Sequence, residues 1–470
     1  MASRIGDMLF QTASRFGARR FLWVAVIGVF VFVVASLRGI GNLKEVVSAQ
    51  DWDEFFPAQV TSIFSSPASA RQKEVPKKTT IAYAVSVTQC NSEGLAKLQD
   101  GAAVLHQSIR LASRDSRYDY YMVAFVHPSA NECAAVLRAL GYEVQIRPTP
   151  FNDTIIQNDE LALAQENSCC GTKEYLKLYS YLLVEFPVVV HLDLDCLVLR
   201  PLDDVFDLML DPGFNRSRIP IMHLKPTELP DRVDFVFTRD YGMVEPGVRH
   251  PHQIGVQGGF LIFRPNETDF YRNIEIIASG ANFSLGWGWG GEGKAFGGYY
   301  GAGTIQGLAS YYYGEISPNR SVELNRCYFN NMADDPYGDR KNDTCRTLES
   351  ECQDCRQVHI KDVITTHFTN CGKPFWCSPP SKHEKKYRMC MEQFQEWHRV
   401  RRSLENEWSD KHPDYQPVFA TNTDWNAGNE MYLNFSQGHC ERFGGYINMQ
   451  YPNLTSDIPL LPKKRDNRRR

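Results

Sequence analysis

Extremes of composition are scarce in this 470-residue sequence. Neither charge is in surplus: 51 Lys and Arg face 55 Asp and Glu, and a formal net charge of −4 gives no reason to expect a nucleic-acid partner. The basic run at 463–470 reads as a solvated terminus. No internal repeat is present. The pair Cys352-x-x-Cys355 has no second pair at metal-site spacing, so zinc at Cys345, Cys352, Cys355 and Cys371 is the weaker rival of disulfide bonding. Apolar runs of membrane length are also missing, with one exception at residues 21–37.

That exception, FLWVAVIGVFVFVVASL, is uncharged and bounded by Arg19, Arg20 and Arg38. A helix of this length spans about 25 Å, slightly short of a bilayer core, and arginines at both ends snorkel to absorb the difference. Arg4, Arg15, Arg19 and Arg20 precede the run against a lone Asp7, which places the N-terminus in the cytosol and the remainder in the lumen. A cleaved signal peptide ending near Ala35 and Ser36 is the alternative, but the apolar core is long for one. The expected layout is a cytosolic tail (1–20), a transmembrane helix (21–37), a stem (38–78), a catalytic domain (79–400) with a Cys-rich part (327–390), and a C-terminal extension (401–470).

Thirteen cysteines, seven of them at 327–390, suit an oxidising compartment. The odd count leaves at least one thiol free, and Cys196, inside an apolar strand, is the expected one. Sequons at Asn152, Asn215, Asn266, Asn282, Asn319, Asn342, Asn434 and Asn453 all follow the apolar run. Chance supplies about two or three such triplets, so the set points to lumenal exposure.

Beyond the stem, strand and helix patterns alternate. Strands are expected at 81–88, 120–126, 142–147 and 187–199, with helices at 101–113, 131–140 (Asn131 as cap, Gly141 as stop) and 172–185. This predicts an α/β fold whose parallel sheet is covered on both faces, with ligands at the carboxyl ends of the strands. In the fourth strand Asp193 and Asp195 stand two apart, on one side of the pleat. Two like charges in an apolar strand need compensation, and hard carboxylate oxygens suit Mn²⁺ or Mg²⁺. A helix cap or an arginine pair is the plainer reading of the same two residues.

The stretch HLDLDCLVLRPLDDVFDL, with D-x-D, an apolar run and an acidic D-x-x-F turn, closely resembles the metal-binding strand of glycosyltransferase family 8, the glycogenin-like enzymes. The resemblance runs in order from about residue 81 to 376. It implies a GT-A-type, Rossmann-like nucleotide-sugar domain and transfer of a hexosyl-type unit from a UDP-sugar to a glycan or glycoprotein hydroxyl, with retention. It further implies a Golgi, single-pass type II enzyme. Asp193, Asp195 and His367 match the family's metal site, and Lys373, six residues after that histidine, the lysine facing the diphosphate. Lys177 matches a basic residue ahead of the D-x-D that contacts the donor. Gln257, Gly258 and Gly259 align with the turn facing the donor sugar, and Thr88 and Gly372 are carried over as donor contacts. Gln306 matches the glutamine of the family's D-Q pair.

The departures are equally specific. Ile305 stands where that pair has aspartate, and Asn370 where a glycine follows the metal histidine. Phe375 separates Lys373–Pro374 from Trp376. Glu292, in WGGEGKAFGG, is the candidate substitute for the missing carboxylate, and the surrounding glycines read equally as a loop without a role or as the shape of an acceptor groove. Tyr299, Tyr300 and Tyr311 to Tyr313 read as core rather than sugar platforms. The rival functions are an inactive lumenal carbohydrate-binding or scaffolding protein of the same fold, and an interaction module built on residues 327–390.

Overall fold

Alternation along the first strand sets the layers. In β1 (Thr80–Val87) the residues Ile81, Tyr83, Val85 and Val87 enter one core, while Ala82 and Ala84 enter another on the opposite face. The chain therefore needs cover on both sides of its sheet, and the sheet has it. β2 (Asp119–Val126), β3 (Glu143–Ile146), β4 (Val189–Leu192), β6 (Phe235–Arg239), β7 (Val256–Phe263) and β8 (Ser321–Glu323) complete a seven-stranded sheet ordered β3-β2-β1-β4-β7-β6-β8. Every neighbouring pair is parallel except those made by β7, which runs against β4 and β6. This is the expected α/β architecture, with one strand reversed.

The computed structural model describes residues 78–90, 92–162, 171–243, 254–280, 304–339, 344–421, 435–441 and 445–452. The expected tail, the transmembrane helix at 21–37 and the stem up to residue 77 lie outside them, as do Glu292, Tyr299, Tyr300 and the sequons at Asn282, Asn342, Asn434 and Asn453. Among the described residues no helix is long and apolar enough to cross a membrane.

One face of the sheet is covered by α1 (Ser92–Ala112), α2 (Ala134–Ala139), α3 (Asp203–Leu210) and the long α6 (Tyr387–Lys411). The other is covered by a 3₁₀ helix, Gly171–Leu182, together with α4 (Glu267–Ser279) and α5 (Ile305–Tyr311). Helix α4 shows the local logic: the Asn266 side chain accepts from Thr268 N at 2.9 Å, and Gly280 adopts the left-handed conformation that ends it. Tyr311, Tyr312 and Tyr313 are buried core residues.

Four expectations change. The strand expected at 187–199 is broken: β4 ends at Leu192, Cys196 N bonds back to Asp193 O at 3.1 Å, and β5 (Cys196–Val198) turns away. It pairs with β11 (Thr365–His367), while β9 (Tyr337–Asp339) and β10 (Thr344–Cys345) pair with each other. Asp193 and Asp195 thus sit in a turn, not on one face of a pleat. The helix expected at 101–113 begins earlier, at Ser92. The boundary at residue 400 falls inside α6, and the segment beyond it packs back on the domain: Asp100 of α1 accepts from Tyr446 Oη, Tyr451 Oη and Met449 N at 2.7, 2.7 and 2.9 Å. Finally, Asn131 is not a helix cap: it lies inside a 3₁₀ turn (Pro128–Cys133), and Cys133 is the cap residue of α2. The disulfides expected of the clustered cysteines are present. The bonds Cys327–Cys355, Cys345–Cys352, Cys371–Cys390, Cys377–Cys440 and Cys90–Cys133 take all seven clustered residues and consume the four proposed zinc ligands. Cys196 is free and buried.

Candidate active site

The strand order reverses beside β1, so the carboxyl ends of β1 and β4 open a crevice that neither neighbour closes. Chemistry gathers there. The turn after β4 supplies Asp193 and Asp195, and Asp193 N bonds Gly259 O at 3.1 Å, fastening the turn to β7. β11 pairs with β5 so that His367 faces Cys196 in register, which brings an imidazole from far along the chain to the aspartates.

Each carboxylate has its own cation. Lys177 of the 3₁₀ helix reaches Asp193 Oδ1 at 2.9 Å and donates to Gly258 O at 3.0 Å. Lys373 bonds Asp195, and His367 Nε2 lies 3.5 Å from Asp195 Oδ1. Burial pushes the Asp195 carboxyl up, but His367 and Lys373 outweigh it and hold the group well below the usual carboxylate range. Asp195 is therefore an anion at neutral pH.

The donor set fits a divalent cation on two observations. His367 is almost fully buried, yet its Nδ1 has no hydrogen-bond partner. Gly259 stands against it: a Cβ there would lie 2.4 Å from His367 Cε1 and 2.9 Å from both His367 Nδ1 and Asp193 Oδ2, so only glycine leaves that space open. Among the described residues, the donor atoms of Asp195, Cys196 and His367 lie within 4.8 Å of one another, a group that does not include Asp193. Cys196 is nonetheless a poor ligand. Burial, then Asp195 and Asp193, push its thiol far above its usual range, and the thiol donates to Gly259 O at 3.4 Å. Hard carboxylate oxygens and an imidazole suit Mn²⁺ or Mg²⁺ better than a neutral thiol does.

The remaining expected residues divide. Gln306, on α5, accepts from Gly258 N at 3.1 Å through Oε1, while its buried Nε2 has no partner. Gln257 is turned inward: its Oε1 accepts from Gly259 N at 2.7 Å and from Asn330 Nδ2 at 3.2 Å, so that oxygen supports the glycine turn. Thr88 follows β1 at the same edge, its carbonyl taken by the Ser129 hydroxyl at 3.2 Å. Gly372 has a φ of 79°, and a Cβ there would meet Trp376 at an ordinary 3.5 Å. Its role is to turn the chain so that Lys373 points back to Asp195. Ile305 is buried core, consistent with an apolar group in place of the aspartate.

Several neighbours were not anticipated. Glu174 lies one 3₁₀ turn from Lys177, accepts from it at 3.4 Å, and accepts from the Thr304 hydroxyl. The i, i+3 spacing to Lys177 was the available signal, and the sequence carries none for Thr304. Asp240, just after β6, and Asp334 form a buried acidic pair near His367. Burial and then Asp334 push the Asp240 carboxyl up to about 6. Asn370, at the family's glycine position, donates to Asp334 Oδ1 at 2.9 Å. His191 is structural: Ser86 and Ser180 hold its two nitrogens at 3.1 and 2.8 Å, and burial, then Lys177, keep it neutral.

No family model and no curated relative matches the chain. Among solved structures it is similar to the WbbM bifunctional glycosyltransferase, at 12% identity and a TM-score of 0.37, covering 74% of this chain and 53% of that one. It is also similar to the galactosyltransferase LgtC in complex with donor and acceptor sugar analogs, at 13% identity and a TM-score of 0.33, covering 71% and 100%. Mouse xyloside xylosyltransferase 1 aligns at 14% identity and a TM-score of 0.33, covering 63% and 98%. The chain thus spans about half of the first of these and nearly all of the other two. Likeness at this level assigns neither family nor activity.

Proposed function

We propose that the chain is a metal-dependent, GT-A-type glycosyltransferase of the family 8 kind, moving a hexosyl-type unit from a UDP-sugar to a glycan or glycoprotein hydroxyl. Its sequons and apolar N-terminal run support a single-pass type II protein with its catalytic part in the Golgi lumen. The observation that carries the reading is the buried, unpartnered His367 Nδ1 beside Gly259, with Asp193 and Asp195 at the same sheet edge.

Asp193, Asp195 and His367 would hold Mn²⁺ or Mg²⁺, which supplies positive charge for the donor's diphosphate. Lys373, already at Asp195, adds a fixed cation where negative charge grows on the leaving group. Lys177 keeps Asp193 and the Gly258 carbonyl in place. Gln306 Nε2 orients a sugar hydroxyl or the incoming acceptor, but an amide cannot accept that acceptor's proton as a carboxylate does. Retention then follows from attack on the face the diphosphate leaves. The acceptor oxygen bonds the anomeric carbon as the carbon–phosphate oxygen bond breaks, and the acceptor proton passes to the departing diphosphate. Ile305 leaves no nucleophilic carboxylate at that position.

The test is a screen of UDP-glucose, UDP-galactose and UDP-xylose for UDP release with Mn²⁺ present. Release that EDTA abolishes and Mn²⁺ restores supports the reading. Failure of Mn²⁺·UDP to bind in calorimetry sinks it.

A further inference from the structure

A closed ring of contacts links three separate elements around the two glycines of β7. Glu174 accepts from Lys177 Nζ at 3.4 Å through one carboxylate oxygen and from the Thr304 hydroxyl through the other. Lys177 donates to Gly258 O at 3.0 Å, and Gly258 N donates to Gln306 Oε1 at 3.1 Å. Gln306 lies two residues after Thr304, the buried cap residue of α5, which closes the ring. The 3₁₀ geometry favours this reach, because side chains three apart eclipse one another in such a helix and Glu174 stands directly over Lys177.

The ring has a consequence for the site. With Oε1 of Gln306 committed to Gly258 N, the amide cannot turn over, and Nε2 is left buried and unpartnered. A buried donor without a partner is costly unless a ligand takes it. We propose that Glu174 is the positioning residue that couples Lys177 to Gln306, holding the Nε2 donor toward a sugar hydroxyl while Lys177 holds Asp193. It touches neither donor nor acceptor. This inference rests on the transferase reading above.

The experiment is a double-mutant cycle on the full chain, read with the UDP-sugar that gives release with Mn²⁺. Glu174→Ala is expected to lower kcat about tenfold to a hundredfold, leaving Mn²⁺·UDP binding within about twofold, because misplacement and not affinity is the cause. Glu174→Gln, which keeps an acceptor for Thr304, should restore part of that loss. In a Gln306→Ala background, Glu174→Ala should add less than about twofold, since both changes break one arrangement. Fully additive losses, or an unchanged kcat in Glu174→Ala, overturn the proposal. Should Glu174→Ala not fold, Thr304→Val opens the same ring from the other side and must show the same loss without a change in UDP binding. A wild-type chain that binds Mn²⁺·UDP and turns over with an additive cycle sinks only this inference. One that fails to bind Mn²⁺·UDP sinks the reading beneath it as well.

Discussion

Asp195, partly buried in the turn after β4, and Asp100, fully buried in the middle of α1, have surroundings that follow opposite plans. Asp100 is enclosed by neutral donors: two tyrosine hydroxyls and the Met449 amide fill its oxygens, and Arg401 lies nearby. Burial dominates there and pushes its carboxyl up. Asp195 instead meets Lys373 and His367 and is held down as an anion. Around Asp100 a long-range contact is finished. Around Asp195 the neighbouring His367 Nδ1 remains open, next to space that Gly259 preserves. Arg401 also leaves its terminal nitrogens without hydrogen bonds, but its guanidinium lies 5.0 Å over the Tyr446 ring in a closed interior. Unsatisfied atoms therefore mark a ligand site only where the backbone leaves room for one. The disulfide Cys377–Cys440 joins the two regions, tying the Lys373 loop to the C-terminal segment.

The largest expected effect breaks the site side alone. Asp195→Ala should lower UDP release about a thousandfold or more, roughly 4 kcal/mol of barrier, while circular dichroism still reports a folded protein. Turnover within tenfold of wild type would remove Asp195 from the metal set. Next, Asp100→Ala should break the other side. It strands three donors, one of them fully buried, so thermal unfolding should show a loss of about 3–4 kcal/mol, with kcat little changed in the fraction that stays folded. A loss of activity at full stability would make Asp100 part of the site and erase the contrast.

The smallest effect sharpens the comparison through pH. Asp240 is raised to about 6, first by burial and then by Asp334, with His367, the Gly242 amide and Arg346 pulling the other way. The folded state therefore binds a proton that the unfolded chain has released above its ordinary 3.8. Stability from this group is present below that value and is lost as pH rises towards 6. Asp240→Asn should accordingly raise the unfolding free energy at pH 7, by on the order of 2–3 kcal/mol, and leave it unchanged at pH 4. An equal shift at both values would mean that charge is not the cause.

Much of the fold was legible because its signals are local. Although the cap expected at Asn131 lies inside a 3₁₀ turn, the alternation along 81–87, the stop at Gly141 and the strand–helix order all concern residues a few positions apart. So does the D-x-D, which located the sheet edge correctly although it misjudged the strand that carries it. The break at Asp193 was not legible, because an apolar run such as 187–199 reads the same whether it continues straight or turns. Only pairing of β5 with β11 bends it. Glu174 was missed for a related reason: its i, i+3 contact with Lys177 is one that any helical turn allows, and its other partner, Thr304, lies 130 residues further on.

By itself, then, the sequence determined what each segment must bury, where the charged residues interrupt it, and that its clustered cysteines would be oxidised. Tertiary structure alone decided the partners: which cysteine meets which, that Lys177 serves Asp193 and Lys373 serves Asp195, and that Asp100 waits for Tyr451, 351 residues further on. Burial is a property of a residue and its near neighbours, so periodicity encodes it. A partner hundreds of residues away is chosen by how whole layers pack, and no local pattern carries that choice.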